Sequence, residues 1–293
     1  MQTNTPPRSM IRLTRRGRLA LVVAGAVVVG TAVAVPLLTL GSAHQEAKPA
    51  ALVIPEGWRA SQVYDAVDKA LSLPSGTTRK SIGKAGLKLP SEAAGNPEGY
   101  LYPATYPLRK GTTPESLLRA MVTTAERKFT AAPTAAGAQR NPMNLYQAIT
   151  IASIIQAEGV KKAEMGKVAR VIANRLERGM PLQMDATVHY ALNRGTAPIT
   201  QDDINVESPY NSYQRVGLPP TPIDNPGEDA MRAALNPPQG NWLYFVTVKP
   251  GDTRFTDDYA THMRNVAEFN ALQQGTAQNQ SPQQSPAFSQ PAG

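Results

Sequence analysis

The sequence predicts an α+β protein in which one N-terminal transmembrane helix precedes a small unit and a larger mixed domain. Three observations lead to this fold class. An uncharged apolar run occupies residues 19–43, and apolar residues recur at helical spacing in several later segments. The run WLYFVTV at 242–248 has the composition of a β-strand. A chain of 293 residues is long enough for one or two domains with their own cores.

The composition excludes several classes of site. The chain has no cysteine, which excludes disulfides, thiolate metal sites and cysteine nucleophiles. Its three histidines, His44, His189 and His262, lie far apart in sequence, so we expect no metal centre and no cofactor. Phosphate-binding loops, the G-x-S-x-G motif and the serine–lysine pattern of penicillin-binding enzymes are all missing from the sequence.

The positive charge is concentrated at the N-terminus. Residues 1–18 carry five arginines and no acid, and without them the formal net charge falls from +8 to +3. A mild excess of this kind does not indicate a nucleic-acid partner.

The run at 19–43 predicts a membrane anchor. It has no charged residue over 25 positions, and about 20 apolar residues suffice to cross the hydrocarbon core. The arginines before it predict a cytoplasmic basic tail at 1–18, with the remainder outside a cytoplasmic membrane that the chain crosses once. The alternatives are a buried core helix or a cleaved signal peptide. We favour the anchor, because the apolar part of a signal peptide is typically about 7–15 residues.

The segment after a short linker predicts a strand–turn–helix unit. LVIP at 52–55 has the pattern of a brief strand, and 60–71 has an amphipathic pattern with Val63, Val67 and Leu71 on one stripe. Residues 74–90 show little periodicity, which indicates loops and short helical turns.

Residues 98–107, EGYLYPATYP, predict an extended ribbon without a regular element, because prolines remove ladder donors. Its tyrosines would suit stacking on sugar rings, but a packed connecting loop is the simpler interpretation. Residues 114–129 predict a helix with proline in its first turn, followed by an Ala/Pro/Gly linker up to 143.

The segment 144–160, NLYQAITIASIIQAEGV, predicts one helix with a single acid at its end. Asn144 is suited to the N-cap and Gln147 to a capping box. Gly159 can adopt the left-handed conformation that ends a helix. The apolar residues recur at steps of three and four: Leu145, Ala148, Ile151 or Ala152, and Ile155.

That acid is Glu158, which follows Ile155 by three residues and so continues the apolar face. Desolvation and the negative end of the helix dipole would both favour its protonated form. A carboxyl that is protonated near neutral pH can act as a general acid. On the local pattern alone, the alternative is a solvated residue at a fraying helix end.

The remaining chain predicts a second helix at 163–178, a mixed stretch at 180–188 and a helical segment at 189–192. A long proline-rich segment without regular pattern follows at 206–226. Then come a short helix at 227–236, the strand at 242–248 with 254–256 as its partner, and a final helix at 259–272. The uncharged tail at 273–293 is rich in Gln, Ser and Pro, which is typical of disorder.

Taken together, these segments resemble the endolytic murein transglycosylases of the YceG-like (MltG-type) family. The match follows the family's order over about residues 52–270. It consists of EGYLYPATY (98–106), ASIIQAE (152–158), NRL (174–176), Met180, LQMDATV (182–188), YNSY (210–213), GLPP (217–220), Pro222, Ile223, NPG (225–227), and YFV (244–246) through His262.

The resemblance implies that Glu158 is the catalytic glutamate. It also implies a LysM-like small domain at 51–97 and a YceG-like catalytic domain at 98–272. Two positions depart from the family pattern. Gln156 stands where many relatives have a second glutamate, which leaves Glu158 as the only acid of the motif, and Ala104 stands where an aspartate is common.

The implied activity is cleavage of the MurNAc–GlcNAc bond in nascent glycan strands, with formation of 1,6-anhydroMurNAc ends. One carboxyl suffices for this reaction, because the substrate's own C6 hydroxyl is the nucleophile. The implied partners are peptidoglycan strands, the membrane and cell-wall synthases, although no residue in the sequence identifies a synthase contact. We assign six residues to glycan binding or to orienting Glu158, with bracing of the loops as the alternative: Gln183, Asp185, Thr187, Tyr210, Asn211 and Tyr213.

Two other functions stay open at this point. A peptidoglycan hydrolase (muramidase) would use Glu158 with Asp185 as its base, since hydrolysis usually needs two carboxyl groups. A non-enzymatic scaffold anchored at the cell wall would need neither acid.

Overall fold

A computed structural model of the chain describes residues 50–131, 143–195 and 199–280, with side chains up to 274. The predicted basic tail, the run at 19–43, most of the linker before 143 and the end of the tail lie outside these residues. Within the described ranges, no helix combines the length and the apolar character needed to cross a membrane.

The described part of the chain has a mixed α+β architecture with two small antiparallel sheets, which confirms the α+β class; the predicted transmembrane helix lies outside the described residues. The strands are β1 (Ala51–Val53), β2 (Thr105–Pro107), β3 (Tyr244–Lys249) and β4 (Asp252–Thr256). The helices are α1 (Ala60–Ala70), α2 (Thr77–Ser81), α3 (Pro114–Phe129), α4 (Leu145–Ala157), α5 (Lys162–Glu177), α6 (Asp185–Ala191), α7 (Glu228–Leu235) and α8 (Tyr259–Gln280). Three short 3₁₀ helices lie at Ile82–Lys84, Ser91–Ala93 and Asp203–Asn205.

The first sheet joins the start of the described chain to the ribbon at 98–107. Strand β1 pairs with β2 in antiparallel register, with Leu52 opposite Tyr106. Three residues of the ribbon therefore form a strand, and the prediction that it contains no regular element is wrong for them. Tyr100, Tyr102 and Tyr106 are all buried, so the ribbon is a packed connection and its rings are closed to sugars.

One glycine of the ribbon has no room for a side chain. Gly99 has a φ of +84°, and a Cβ there would lie 2.6 Å from Pro222 and 2.9 Å from Ile149. Glycine adopts this left-handed conformation at little cost, and its small size lets the proline-rich segment pack directly on the ribbon. The segment at 206–226 is accordingly ordered by contact with the core, although it contains no helix or strand.

Helix α4 is the centre of the core. Residues 148–155 are all buried, and α4 packs against α5 and α7, which also pack on each other. The predicted caps are confirmed: the Asn144 side chain accepts from the Gln147 N–H, while the Gln147 side chain accepts from the Asn144 N–H. Gly159, with a φ of +64°, carries the chain away from the helix end.

Two helices extend beyond their predicted limits. Helix α6 begins at Asp185, four residues before the predicted start at 189, because Asp185 stands in the first turn, where the helix dipole favours an acid. Helix α8 continues to Gln280 instead of ending at 272, so residues 273–280 are helical and not irregular. That extension contains no proline, and four of its eight residues are Gln, which tolerates a helix well.

Asn225 ties the small N-terminal unit to the rest of the described chain. Its side chain is fully buried, donates to the Trp58 carbonyl at 2.7 Å and accepts from the Leu101 N–H at 2.8 Å. Its backbone N–H also donates to the Trp58 carbonyl, and its carbonyl accepts from the Gly57 N–H. One asparagine thus satisfies backbone groups of two other segments that would otherwise be buried without partners.

We expect Asn225→Ala to lower the free energy of unfolding by about 2–4 kcal/mol, because it leaves the buried Leu101 N–H without its acceptor and removes one of the two donors to the Trp58 carbonyl. Urea denaturation at neutral pH measures the change. The matched control is Asn236→Ala, whose exposed side chain makes one 3.4 Å hydrogen bond within its own helix and should change stability by about 0.5 kcal/mol or less. Equal losses in the two variants would contradict the structural role of Asn225.

Candidate active site

Glu158 occupies the C-cap of α4, where its backbone N–H still bonds to the Ile154 carbonyl. The residue as a whole keeps partial contact with solvent, but its carboxyl oxygen Oε1 is buried and has no hydrogen-bond partner in the described part of the chain. An unpaired buried oxygen is costly, and the cost is far larger when the group carries a charge. The structure therefore favours the neutral carboxyl.

The pKa of Glu158 is raised from 4.5 to about 7. Burial of the carboxyl is the largest cause, because it disfavours the charged form, and the negative charge of Asp185 acts in the same direction. The backbone N–H of Ala186 opposes both by favouring the carboxylate. Near neutral pH, Glu158 can therefore both give up and recover a proton.

Asp185 is brought to this acid by the start of α6 and held there by Tyr213. The Tyr213 hydroxyl donates a hydrogen bond to Asp185 Oδ1. Behind this pair, the Ser212 carbonyl accepts from the Gln183 N–H at 2.9 Å, and the Ser212 hydroxyl accepts from the Met184 N–H at 3.0 Å. The two residues before α6 and the proline-rich segment are thus joined next to Asp185.

Glu158 opens into a partly enclosed cavity of about 600 Å³, which we call the acid cavity. Its walls come from the end of α4, from α5, the start of α6, β3 and α8. Aromatic and apolar side chains predominate, as in sites that hold sugar rings or other small ligands. The polar and aromatic lining residues are Glu158, Arg175, Gln183, Asp185, Tyr213, Tyr244, Phe245, Thr247, Tyr259, His262, Phe269 and Asn270.

The structure divides the six predicted binding residues into two groups of three. Gln183, Asp185 and Tyr213 line the acid cavity with Glu158. The other three, Thr187, Tyr210 and Asn211, do not line it.

The second group supports the neighbouring loops. Thr187 is fully buried and donates to the Met184 carbonyl, and Asn211 is fully buried and donates to two carbonyls of the segment at 204–206. Tyr210 packs on Tyr190 and shares a hydrogen bond with Thr221. For Thr187 and Asn211, the geometry fits orientation of the loops, whereas Tyr210 is partly exposed and lines a different cavity.

Among the described residues, the acids Asp68, Glu98 and Asp224 are also buried, and Glu98 and Asp224 share a raised pKa with Glu158. Burial raises the pKa of Glu98 to about 7, but its carboxyl accepts hydrogen bonds from the Ala60 N–H and the Tyr190 hydroxyl. Burial also raises the pKa of Asp224 well above its ordinary value, and its Oδ1 has no partner among the described residues. Asp224 lies in a separate cavity of about 460 Å³ whose described lining contains His189 but no tyrosine, phenylalanine or tryptophan.

Arg175, Tyr244 and His262 also line the acid cavity, although the sequence predicts no role for them at the site. The Arg175 guanidinium lies 5.1 Å from the centre of the Tyr244 ring, and the His262 ring stacks on Tyr244 at 5.0 Å. Arg175 follows Ile172 by three residues on the buried face of α5, and a charged residue at that position was an available signal. For Tyr244 and His262 the available signal was their place in the motifs that carry the family resemblance.

Comparison with known proteins assigns this chain to a family. The model of the YceG-like family matches residues 30–268, which is most of the chain. The chain belongs to the YceG-like family. This family is the one whose motifs the sequence resembles, so the resemblance is confirmed.

Relatives named endolytic murein transglycosylase are known from several bacteria. The one from Bacillus subtilis (strain 168) is 36% identical over 173 residues, which cover 59% of this chain and 48% of the relative. The one from Streptococcus pneumoniae serotype 2 (strain D39 / NCTC 7466) is 37% identical over 177 residues, which cover 58% and 32%. The matched part thus spans less than half the length of these relatives.

A solved structure supports the fold. The 2.6 Å crystal structure of a YceG-like protein from Listeria monocytogenes superposes with a TM-score of 0.64 at 31% identity. The match covers 74% of this chain and 75% of the Listeria chain. The mixed α+β architecture around Glu158 is therefore that of a YceG-like protein.

The raised pKa of Glu158 predicts a pH-dependent difference in stability between the wild type and Glu158→Gln. The pKa of Glu158 is higher in the folded protein than in the unfolded chain. Its contribution to the free energy of unfolding is therefore fully present below about pH 4.5 and is lost as pH rises through about 7. Glutamine stays neutral throughout. We expect the variant to gain stability relative to the wild type between about pH 4 and pH 8.5, by up to about 3 kcal/mol.

Urea unfolding at a series of pH values measures this difference. Glu177→Gln on the exposed side of α5 is the control, and its difference from the wild type should stay nearly constant with pH. A Glu158→Gln profile parallel to that of the control would contradict the burial of the Glu158 charge.

Proposed function

We propose that this protein is an endolytic peptidoglycan lytic transglycosylase in which Glu158 is the general acid and then the general base. The observation that carries the proposal is the carboxyl of Glu158, which is buried, unpaired at Oε1 and has a pKa of about 7 at the wall of the acid cavity. Membership of the YceG-like family and relatives named endolytic murein transglycosylase support the substrate class.

The proposed reaction needs one proton-carrying group. Protonated Glu158 donates its proton to the glycosidic oxygen between MurNAc and GlcNAc while the bond from C1 to that oxygen breaks. The C6 hydroxyl of the same MurNAc attacks C1, and the Glu158 carboxylate takes the hydroxyl proton. A 1,6-anhydro ring forms, water is not consumed, and Glu158 returns to its starting state. Holding the substrate's own nucleophile in place replaces activation of a water.

Asp185 has a second role in this proposal. Its carboxylate stands close enough to raise the pKa of Glu158, and Tyr213 fixes its orientation through a hydrogen bond. Positive charge develops at C1 as the glycosidic bond breaks, and a fixed carboxylate beside the reacting atoms stabilises it. Asp185 is therefore assigned to electrostatic stabilisation, with Gln183 beside it in the cavity wall.

The same arrangement favours one alternative. Asp185 is a second carboxyl at the site, and a muramidase would use it as the base that activates water. The two reactions leave different chain ends, because hydrolysis incorporates an oxygen atom of water and ring closure does not.

Placement at the membrane is part of the proposal. The run at 19–43 would anchor the chain in the cytoplasmic membrane with the acid cavity outside, where nascent glycan strands are made. The partnership with cell-wall synthases and the LysM-like character of residues 51–97 stay predictions from the resemblance.

Digestion of uncrosslinked glycan strands by the wild type should yield 1,6-anhydroMurNAc ends. Glu158→Gln should lower kcat/KM by about 10³-fold or more, because it removes both proton transfers. Mass spectrometry of products formed in ¹⁸O-labelled water measures both quantities, with Glu177→Gln as an active control.

Two outcomes would contradict this assignment. Reducing ends that carry ¹⁸O would show that the enzyme is a hydrolase and not a lyase. Substantial cleavage by a folded Glu158→Gln variant would show that the reaction does not need Glu158 as its acid.

The pH profile should report the influence of Asp185. Because free Glu158 must be protonated, kcat/KM should be high below about pH 7 and fall about tenfold per pH unit above it. Asp185→Asn removes a negative charge that favours protonation, so the midpoint should move to lower pH while the maximum rate also falls.

The control for this change is Asp65→Asn, an exposed acid on α1 that does not line the acid cavity. It makes the same change in net charge and should leave the midpoint in place. An unshifted midpoint in Asp185→Asn would mean that Asp185 does not act on the titrating group.

A further inference from the structure

A buried guanidinium without a counter-ion forms part of the acid cavity. Arg175 is only 5% exposed, and its Nε donates to the Leu243 carbonyl at 2.6 Å. Nη1 donates to the carbonyls of Pro181 and Leu182 and to Gln183 Oε1, at 2.8–3.0 Å. Across the described residues, no carboxylate lies within 4.0 Å of Arg175, and Nη2 donates no hydrogen bond.

This arrangement leaves the positive charge only partly compensated. Carbonyl and amide oxygens satisfy the N–H groups of Nε and Nη1, but they supply partial negative charge. A buried cation is strongly stabilised by an anion, and the planar guanidinium matches a carboxylate particularly well. Nη2 is not among the buried atoms without partners, so its open side reaches the cavity that Arg175 lines.

A second unpaired polar group lies in the same wall. His262 Nδ1 is buried without a partner in the described structure, and the His262 ring stacks on Tyr244 with an interplanar angle of 19°. Tyr244 also carries the Arg175 guanidinium on its face, so the three side chains form one stack. The positive charge of Arg175 lowers the pKa of His262, after burial as the larger cause, which keeps the imidazole neutral and able to share a hydrogen bond.

The acid cavity is therefore electrically asymmetric. Glu158 and Asp185 repel an anion from one part of the wall, whereas Arg175 attracts it to another. Tyr213 lies near both charges: burial and then Asp185 raise the pKa of its hydroxyl, whereas Arg175 lowers it. A substrate with an anionic substituent would thus bind in one orientation, with its charge at Arg175.

We propose that Arg175, Tyr244 and His262 form a subsite for a carboxylate carried by the muramoyl residue of the glycan. This inference rests on the proposed function, because it takes peptidoglycan as the substrate. The muramoyl residue carries a lactyl ether that ends in a carboxylate in bare strands and is extended by a stem peptide with carboxylates of its own in others. The recognised chemistry is the same in both cases.

The competing interpretation is that Arg175 has only a structural role, in which its hydrogen bonds join residues 181–183 to Leu243, the residue before β3. Arg170 on the same helix provides a matched control for that role. Its Nε donates to the Pro238 carbonyl at 2.6 Å and its Nη2 to the Pro237 carbonyl at 3.1 Å, but it does not line the acid cavity. Loss of either arginine removes bonds to carbonyls, whereas only loss of Arg175 should change recognition of a charged ligand.

The test measures binding without cleavage, by calorimetry on Glu158→Gln. Short glycan oligosaccharides are compared in four forms: bare with free lactyl carboxylates, bare with those groups amidated, peptide-bearing with free carboxylates, and peptide-bearing with those groups amidated. We expect the carboxylate form to bind about 10- to 100-fold more tightly than its amidated counterpart. A preference in the bare pair assigns the lactyl group, and a preference in the peptide-bearing pair alone assigns the stem peptide.

Variants then test which arginine causes the preference for the carboxylate form. Arg175→Gln in the Glu158→Gln background should abolish it, and Arg170→Gln should retain it. Circular dichroism and thermal unfolding check that each variant is folded. If Arg175→Gln does not fold, His262→Ala serves in its place and should weaken the preference several-fold.

Equal affinity for charged and amidated forms in both pairs, or no binding of any of the four, would overturn the subsite. A preference that persists in folded Arg175→Gln would overturn it as well. These results are separate from the proposed function, because a wild type that fails to cleave glycan would refute the transglycosylase without changing the charge preference measured on Glu158→Gln.

Discussion

The arrangement of the site depends on one physical constraint, the burial of a Glu158 carboxyl oxygen that finds no hydrogen-bond partner among the described residues. Glu158 is held in this state because it ends α4, a helix whose residues 148–155 are all buried against α5 and α7. The apolar packing of that helix offsets the cost of the unpaired oxygen, and Gly159 turns the chain away before a more exposed position is reached. A side chain on a mobile loop would rotate toward water, so the raised pKa of Glu158 requires the rigid helix behind it.

The surroundings of Glu158 differ from those of the buried acids Glu98 and Asp224. Glu98 is also buried with a raised pKa, but its hydrogen bonds use it as a structural acceptor. At Glu158 the neighbouring charge is the negative charge of Asp185, and aromatic rings form much of the cavity wall. The guanidinium of Arg175 in the same wall donates hydrogen bonds to backbone carbonyls. Proton transfer, stabilisation of positive charge and orientation of a substrate can therefore come from separate side chains of one cavity.

The sequence predicts well what local chemistry determines. The reciprocal caps at Asn144 and Gln147 and the end of α4 at Gly159 follow from residue type at fixed spacing, and the structure confirms them. Contacts between segments distant in sequence could not be predicted, because no periodic pattern indicates them. Examples are the pairing of β1 with β2, the proximity of Asp185 to Glu158 and the hydrogen bond from Arg175 to the Leu243 carbonyl. The family resemblance indicated which acid matters, whereas only the structure shows its unpaired oxygen and charged neighbours.

The central claim is that burial and the Asp185 charge keep Glu158 protonated near neutral pH. Carbon-13 NMR titration of the Glu158 side-chain carboxyl, assigned by its absence in Glu158→Gln, tests this claim most directly. The structure predicts a midpoint at about pH 7. A midpoint at about 4.3, the value of a free glutamate, would contradict the claim, even if the variant proved inactive.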